Sequence, residues 1–439
     1  MSNPRIYTVI TTFLPLVGGA ETQTLAQGRN LRERGYEATI VTFRYNRSWL
    51  AREEIGGVPV IRVAGTLLEG REKLPRPLQK LLFLLATVVL GWTLWSQRQR
   101  YDILQVCQFS LLTLPAALVC KLTGKPLVIV VVSNGSDKSI MSHNEASLIA
   151  GPIDTSTPWL QVDGQTWVDG DLEALESKGK LIGKLIRSLL QSIHAEVVVL
   201  SSRMRSYLSA HSFDLCAIQH ISNGVDIQRF QSIHTYKFSD EQAKTVICVS
   251  KLRYEKGIDV LLQAWRLVHE KEPQGRLIIV GGGPLQPQLE CMAEALGIKS
   301  SVEFAGLQSD IPAQLHRGSL MVLPSRWEGM PNALLEAMAC GLACTATRVS
   351  GSEDAIEHRV NGLLVEPEDY QGMAQALLTL LRDPAMARQY GRAARVTIEQ
   401  HYSLEHILDK YIELYQKITG QEIPYSKDRQ LPEIYHLSS

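Results

Sequence analysis

Short, nearly charge-free runs rich in β-branched residues recur along this chain, and helical stretches separate them. In the first half they are "RIYTVIT", "EATIVTF", "DILQVCQ", "PLVIVVV" and "AEVVVLS"; in the second, "TVICVS", "RLIIVG", "VEFAG", "LMVLPS" and "ACTAT". A strand with one wet face alternates apolar and polar residues. A strand covered on both faces is apolar at every position, and a parallel sheet flanked by helices on either side covers both. The rhythm predicts an α/β chain of doubly wound, Rossmann-like sheets. It breaks once, over "HISNGVDIQRF" and the polar run "QSIHTYKFSDEQAK", and then restarts. At 439 residues the chain is also longer than one core usually supports. Two domains are expected, 1–225 and 226–403, facing each other across a cleft. A helix at 404–420 is expected to pack back on the first domain, and the tail 421–439 to be poorly ordered.

Composition narrows the function class. Apolar residues make up 45% and charged residues 21%, as in an ordinary soluble enzyme. The 45 basic and 45 acidic side chains cancel, so bulk charge advertises no nucleic-acid partner. The seven cysteines (Cys107, Cys120, Cys216, Cys248, Cys291, Cys340, Cys344) are scattered, mostly through apolar runs, and read as buried thiols in a reducing compartment. No His/Cys cluster has ligand spacing, so no metal site is expected. "MSNPRIYTVITTFLP" reads as a first strand rather than a secretory signal, and a cytoplasmic location is expected. "LLFLLATVVLGWTLW", Leu81 to Trp95, is fifteen residues without a charge, preceded by Lys80 and followed by Arg98 and Arg100. That is short of the roughly 20 residues a membrane span needs. It reads either as a long, mostly buried helix of the first domain or as a face lying on the inner leaflet. In the second reading Trp92 and Trp95 sit at headgroup depth and the arginines on anionic lipid.

Open α/β sheets bind ligands at the carboxyl ends of their strands, so chemistry is sought in the loops there. Gly18 and Gly19 follow the first strand and precede a helix whose first turn holds Glu21. "VSKLRYEKG" places Lys251 and Lys256 after a second-domain strand, where two cations would neutralise a diphosphate leaving group. Gly281 and Gly282, in "VGGGP", allow backbone to approach a ligand closely, though the pattern falls short of a dinucleotide fingerprint. In "EGMPNALLEAMACG", Pro331 disfavours helix at Met330, so a helix begins near Pro331 or Asn332. Its first amides would face an anion, with Glu328, Gly329 and Met330 in the loop before it and Glu336 one turn inside. Each feature alone also has a plain reading: solvated lysines, a tight βα turn, a glutamate on a wet helix face. "DGD", Asp169 to Asp171, reads as a helix cap for "DLEALESKG".

Taken together, "NGVDIQRF", "VSKLRYEKGIDVLLQAW", "LIIVGGGPLQPQLE", "VEFAGL", "LPSRWEGMPNALLEAMACG" and "NGLLVEPED" resemble the donor domain of the family 4 glycosyltransferases of the GT-B fold, in the family's order. "LPLVGGAE" is similar to the family's acceptor-side glycine loop. The resemblance implies a retaining, metal-independent transfer from a nucleotide diphosphate sugar to a glycan or lipid-linked acceptor. The sugar nucleotide would be a co-substrate, with no cofactor. Glu328 matches the first glutamate of the family's E-x7-E motif, on the donor sugar, and Glu336 the second, on the ribose. Lys251 and Lys256 match the basic pair on the diphosphate, and Gly18 and Gly19 the loop that closes on it. Two positions depart from the pattern. Ser250–Lys251 stands where the family usually has Gly-Arg, and Asn134 where many members place a histidine beside the sugar. Asn134 is expected to orient the sugar, since an amide cannot shuttle a proton near neutrality. Three rivals remain at this point: an inert sugar-nucleotide-binding partner, an NAD-dependent oxidoreductase resting on "VGGGP", and a sugar-nucleotide epimerase.

Overall fold

The computed structural model describes residues 3–16, 18–132, 180–210, 217–232 and 244–420. The first sheet holds β1 (Arg5–Ile10), β2 (Glu37–Phe43), β3 (Arg52–Ile55), β4 (Val58–Val63), β5 (Ile103–Cys107), β6 (Leu127–Val131), β7 (Glu196–Val199) and β8 (Ala217–His220). In space they run β3-β4-β2-β1-β5-β6-β7-β8, parallel throughout except for β3 against β4. The second sheet holds β9 (Thr245–Val249), β10 (Arg276–Val280), β11 (Val302–Gly306), β12 (Leu320–Leu323), β13 (Ala343–Thr347) and β14 (Gly362–Val365). Its order is β11-β10-β9-β12-β13-β14, and all of its pairings are parallel.

The ten apolar runs all become strands, and the doubly wound reading of both halves holds. In β5, β6, β12 and β13 every residue is buried, the property that made the runs continuous. Four further strands escaped that criterion. β3 and β8 are edge strands, partly exposed and carrying charged or polar residues. β14 is short, and β4 alternates buried and half-buried positions. β3 and β4 form a hairpin turned by Gly56 and Gly57, both at positive φ (+56° and +81°), the geometry a two-residue turn demands.

The second-domain helix Ile258–Lys271 buries Ile258, Leu261, Leu262, Trp265 and Val268, the stripe its spacing predicts. Trp265 Nε1 donates to Ser301 Oγ at 3.1 Å, satisfying the polar atom of a fully buried ring. The helix Leu404–Thr419 lies against the first sheet. Tyr415 Oη donates to Gln105 Oε1 (2.6 Å), Lys417 Nζ meets Glu196 Oε1 (3.1 Å), and Asp409 pairs with Arg34. Backbone bonds between Val225 and the Tyr402–Leu404 segment (2.9 Å each) tie the interdomain crossing to the start of that helix.

Two expectations are corrected. Of the two readings of Leu81–Trp95, the mostly buried helix is corrected: the run belongs to a longer helix, Arg76–Ser96, that is buried along one side only. Ala86, Thr87, Leu90 and Leu94 face the core, while Leu81, Leu84, Val88 and Trp92 are exposed, Trp92 by 70%. The run is apolar around its whole circumference, but the domain covers only one side of it. Cys291 is exposed, because the helix Gln286–Ala295 buries Leu289 and Ala293 and turns position 291 outward. The five thiols at Cys107, Cys120, Cys248, Cys340 and Cys344 are buried. Asn134, Asp169–Asp171, Cys216 and the tail 421–439 lie outside the described residues.

Candidate active site

Each sheet carries its domain's first strand in the middle, and the chain winds away from it in both directions. The switch points fall between β1 and β5 and between β9 and β12. Loops diverge there and open a crevice at the carboxyl ends. A cavity of about 560 Å³ lies between the two crevices, lined from the first domain by Gly18 and Gly19 and from the second by Lys251, Lys256, Glu328 and Glu336.

The loops after β9 and β12 meet through one ion pair. Lys256 Nζ donates to Glu328 Oε1 at 2.7 Å, with the side chains 21% and 10% exposed. Ser325 Oγ donates to the same oxygen at 2.7 Å, and Thr347 Oγ1 holds the Ser325 carbonyl at 2.5 Å. The Glu328 carboxylate is thereby fixed from two sides. Gly329 follows because nothing larger fits: a Cβ there would stand 2.0 Å from the Val132 carbonyl oxygen of the first domain. Met330 is buried, and Pro331, at ψ 106°, precedes the helix Asn332–Ala339. The first bond within that helix runs from Leu334 N to the Pro331 carbonyl (3.1 Å), so the amides of Asn332 and Ala333 form its electropositive mouth.

Across the cavity, Gly18 caps the helix Gly19–Glu33 in extended geometry. A Cβ on Gly18 would lie 2.3 Å from Glu21 Oε2 and 3.4 Å from Lys251 Nζ, so an ammonium of one domain reaches the glycine loop of the other. Glu21 Oε1 accepts from Thr12 Oγ1 at 2.5 Å. Asn332 bridges the same gap: its Nδ2 donates to the Gly19 carbonyl (3.2 Å), and its Oδ1 accepts from Gln23 Nε2 (3.2 Å) and Asn223 Nδ2 (2.8 Å). Gly281 sits at φ +139° with a would-be Cβ 1.9 Å from the Ser250 carbonyl oxygen, fixing the start of the Lys251 loop. Gly282 is less constrained, with Leu307 Cγ at 3.1 Å.

Glu336 lies one turn into the helix and lines the cavity while remaining half-buried. Burial pushes its carboxyl up to about 7, with Arg229 pulling the other way. The predicted residues Gly18, Gly19, Lys251, Lys256, Gly281, Gly282, Glu328, Gly329, Met330, Pro331, Asn332 and Glu336 all line this one cavity. Gln23 and Asn223 were not singled out. Asn223 was legible, since it opens "NGVD" just where the strand rhythm breaks; Gln23 carries no signal, because its partners lie 201 and 309 residues away.

Two family models cover the chain: "Glycosyl transferase 4-like domain" at residues 18–224 and "Glycosyl transferases group 1" at residues 230–397. The chain belongs to the family 4 glycosyltransferases of the GT-B fold. It is 33% identical to N-acetyl-alpha-D-glucosaminyl L-malate synthase of Bacillus anthracis over 178 residues, 40% of this chain and 46% of that protein. It is 30% identical to the GDP-mannose-dependent alpha-(1-6)-phosphatidylinositol monomannoside mannosyltransferase of Mycolicibacterium smegmatis over 230 residues, 48% of this chain and 58% of that one. The chain thus spans about half the length of these curated relatives. Among solved structures, Anabaena HepE in complex with UDP aligns with a TM-score of 0.66 at 19% identity, over 94% of this chain and 100% of its own. TarM aligns with a TM-score of 0.69 at 16% identity, over 94% of this chain and 98% of its own. These two likenesses establish a common fold with GT-B enzymes.

Proposed function

We propose that this chain is a retaining, metal-independent glycosyltransferase that moves a sugar from a nucleotide diphosphate sugar to a glycan or lipid-linked acceptor. The observation that carries the reading is the Lys256–Glu328 pair at the second sheet's switch point, facing the mouth of the helix at Asn332 and the glycine loop at Gly18–Gly19. A diphosphate seated at that mouth takes hydrogen bonds from the first helical amides and the charge of Lys251 and Lys256. Those two ammonium groups supply the positive charge a metal would otherwise bring. Glu328 accepts hydroxyl protons of the sugar beyond the phosphate, and Glu336 those of the ribose. With attack on the face the diphosphate leaves, the departing oxygen takes the acceptor's proton, and no side-chain base is needed. Asn134 orients the sugar in this scheme.

The acceptor reading draws on the helix Arg76–Ser96. It follows β4, so it starts at the carboxyl edge of the first sheet, the edge that faces the cavity, and its outer face is apolar. A peripheral contact with the inner face of a membrane, in a cytoplasmic protein, would bring a lipid-linked acceptor to the cleft. No nucleic acid has a place in the scheme.

Thermal-shift titration against a panel that includes UDP-glucose and GDP-mannose tests the donor, since a bound ligand stabilises the folded form. One donor is expected to raise the melting temperature and to be consumed on adding acceptor, with the anomeric configuration kept. Chelator should leave turnover unchanged. Inversion, or strict dependence on a divalent ion, would overturn the mechanism; indifference to every sugar nucleotide would overturn the reading.

A further inference from the structure

Arg326 does not line the cavity, yet more charged groups converge on it than on either residue of the ion pair. Its side chain is 9% exposed. Nη1 and Nη2 grip Asp259 in a two-pronged pair at 2.8 and 2.7 Å, and Nη2 also donates to Glu368 Oε2 at 3.2 Å. Nε stands 2.5 Å from Glu368 Oε1. Glu368 reaches it from a backbone at φ +66°, a conformation that favours glycine. Two carboxylates more than neutralise the guanidinium, so Arg326 offers a ligand no spare charge.

Among the described residues, its remaining bonds go to the loop that carries Lys256. Nη1 donates to the Tyr254 carbonyl (2.7 Å), the Arg326 amide donates to the Glu255 carbonyl (2.9 Å), and the guanidinium lies 4.0 Å from the Tyr254 ring centre. Gly257 closes that turn at φ +61°, so near the other loop that a Cβ would stand 2.1 Å from the Pro324 carbonyl oxygen. Arg326 therefore joins the residues just before Lys256 to the residues just before Glu328, behind the pair and out of reach of ligand.

We infer that Arg326 is a positioning residue: its fork sets the distance between Lys256 and Glu328 and so tunes the site for a diphosphate. Lysine in its place would keep the charge and lose the fork. The inference rests on the donor reading above.

The test measures binding of uridine and guanosine 5′-diphosphates against the matching monophosphates by calorimetry. Wild type, Arg326→Lys, Asp259→Asn, Lys256→Met and the Arg326→Lys/Lys256→Met double variant are compared, and melting temperatures are recorded alongside. Wild type should prefer one diphosphate over its monophosphate. Arg326→Lys and Asp259→Asn should each cut that preference by on the order of tenfold, leaving monophosphate affinity unchanged. The double variant should lose little beyond Lys256→Met alone, because one residue acts through the other. Asp259→Asn keeps the side chain's shape and removes its charge, so the fork is tested even if Arg326→Lys does not fold. Lower melting temperatures with an intact preference, or additive losses in the double variant, would overturn the inference and leave the donor reading standing. A wild type with no preference for either diphosphate would sink the donor reading itself.

Discussion

Lys256 and Glu328 are separated by 72 residues and by two loops, yet they meet at 2.7 Å across the switch point of the second sheet. Each neutralises the other. Under the donor proposal, an arriving diphosphate would compete for the ammonium, and the carboxylate left behind would be held by Ser325 with capacity to accept a hydroxyl. On the proposed reading, the pair is a stored arrangement that the donor exchanges rather than one it must build.

Removing either partner should therefore damage chemistry more than folding. Lys256→Ala and Glu328→Gln are each expected to lower turnover about 100-fold or more, the cost of deleting a charge aimed at a developing charge. The sites are only partly buried, and the melting temperature should fall by a few degrees at most. Steady-state transfer rates with calorimetric melting decide it. Near-wild-type turnover in either variant would remove that residue from the site.

Glu336 gives stability a dependence on pH. The unfolded chain releases this proton near 4.5, while the folded chain holds it to about 7. Between those values the folded state binds more protons, so the stability this one group contributes at low pH declines as pH rises through the window, and that contribution is gone above about 7. Glu336 is only half-buried, and solvent screening of its exposed part holds the loss to at most about 3 kcal/mol. Glu336→Gln should flatten this decline. Urea unfolding of both proteins at pH 5 and pH 8 measures it, and equal slopes would contradict the burial argument.

The glycine pair after β10 makes a contrast within one loop. Gly281→Ala combines a strained φ with a clash against the Ser250 carbonyl and should cost about 2–3 kcal/mol. Gly282→Ala meets only the side chain of Leu307, itself 84% exposed and free to move, and should cost under about 1 kcal/mol. Chemical denaturation of the two variants separates them.

What the sequence disclosed followed from how local each signal is. Strands buried on both faces are written in consecutive residues, so β5, β6, β12 and β13 were plain. Glu328, Pro331 and Glu336 were plain as well, because a helix start and its flanking carboxylates fall within one short segment. The edge strands β3 and β8 were not, since an edge needs no apolar run. Arg326 was hidden although it lies two residues from Glu328. Its partners Asp259 and Glu368 stand 67 and 42 residues away, and only folding makes its charge structural. The outward side of Arg76–Ser96 stayed one of two open readings for the opposite reason: an apolar run has no pattern to say which face the domain covers.

That helix supplies the last prediction. Val88 and Trp92 are 64% and 70% exposed on its outer side, with Leu81, Leu84 and Leu85 beside them, and the helix contains basic Arg76 and Lys80 but no acidic residue. An apolar face edged with cations suits the interface of an anionic bilayer, where indole and aliphatic groups enter below the headgroups. Wild type should sediment with phosphatidylglycerol vesicles, less so in high salt, and weakly with neutral phosphatidylcholine. Val88→Glu and Trp92→Glu should each weaken retention about tenfold or more, the equivalent of losing one large apolar side chain from the interface. Neither touches Ala86, Leu90 or Leu94, so the melting temperature should hold. A wild type that stays in the supernatant at every lipid composition would leave the exposed face unexplained and turn the proposed transfer toward a water-soluble acceptor.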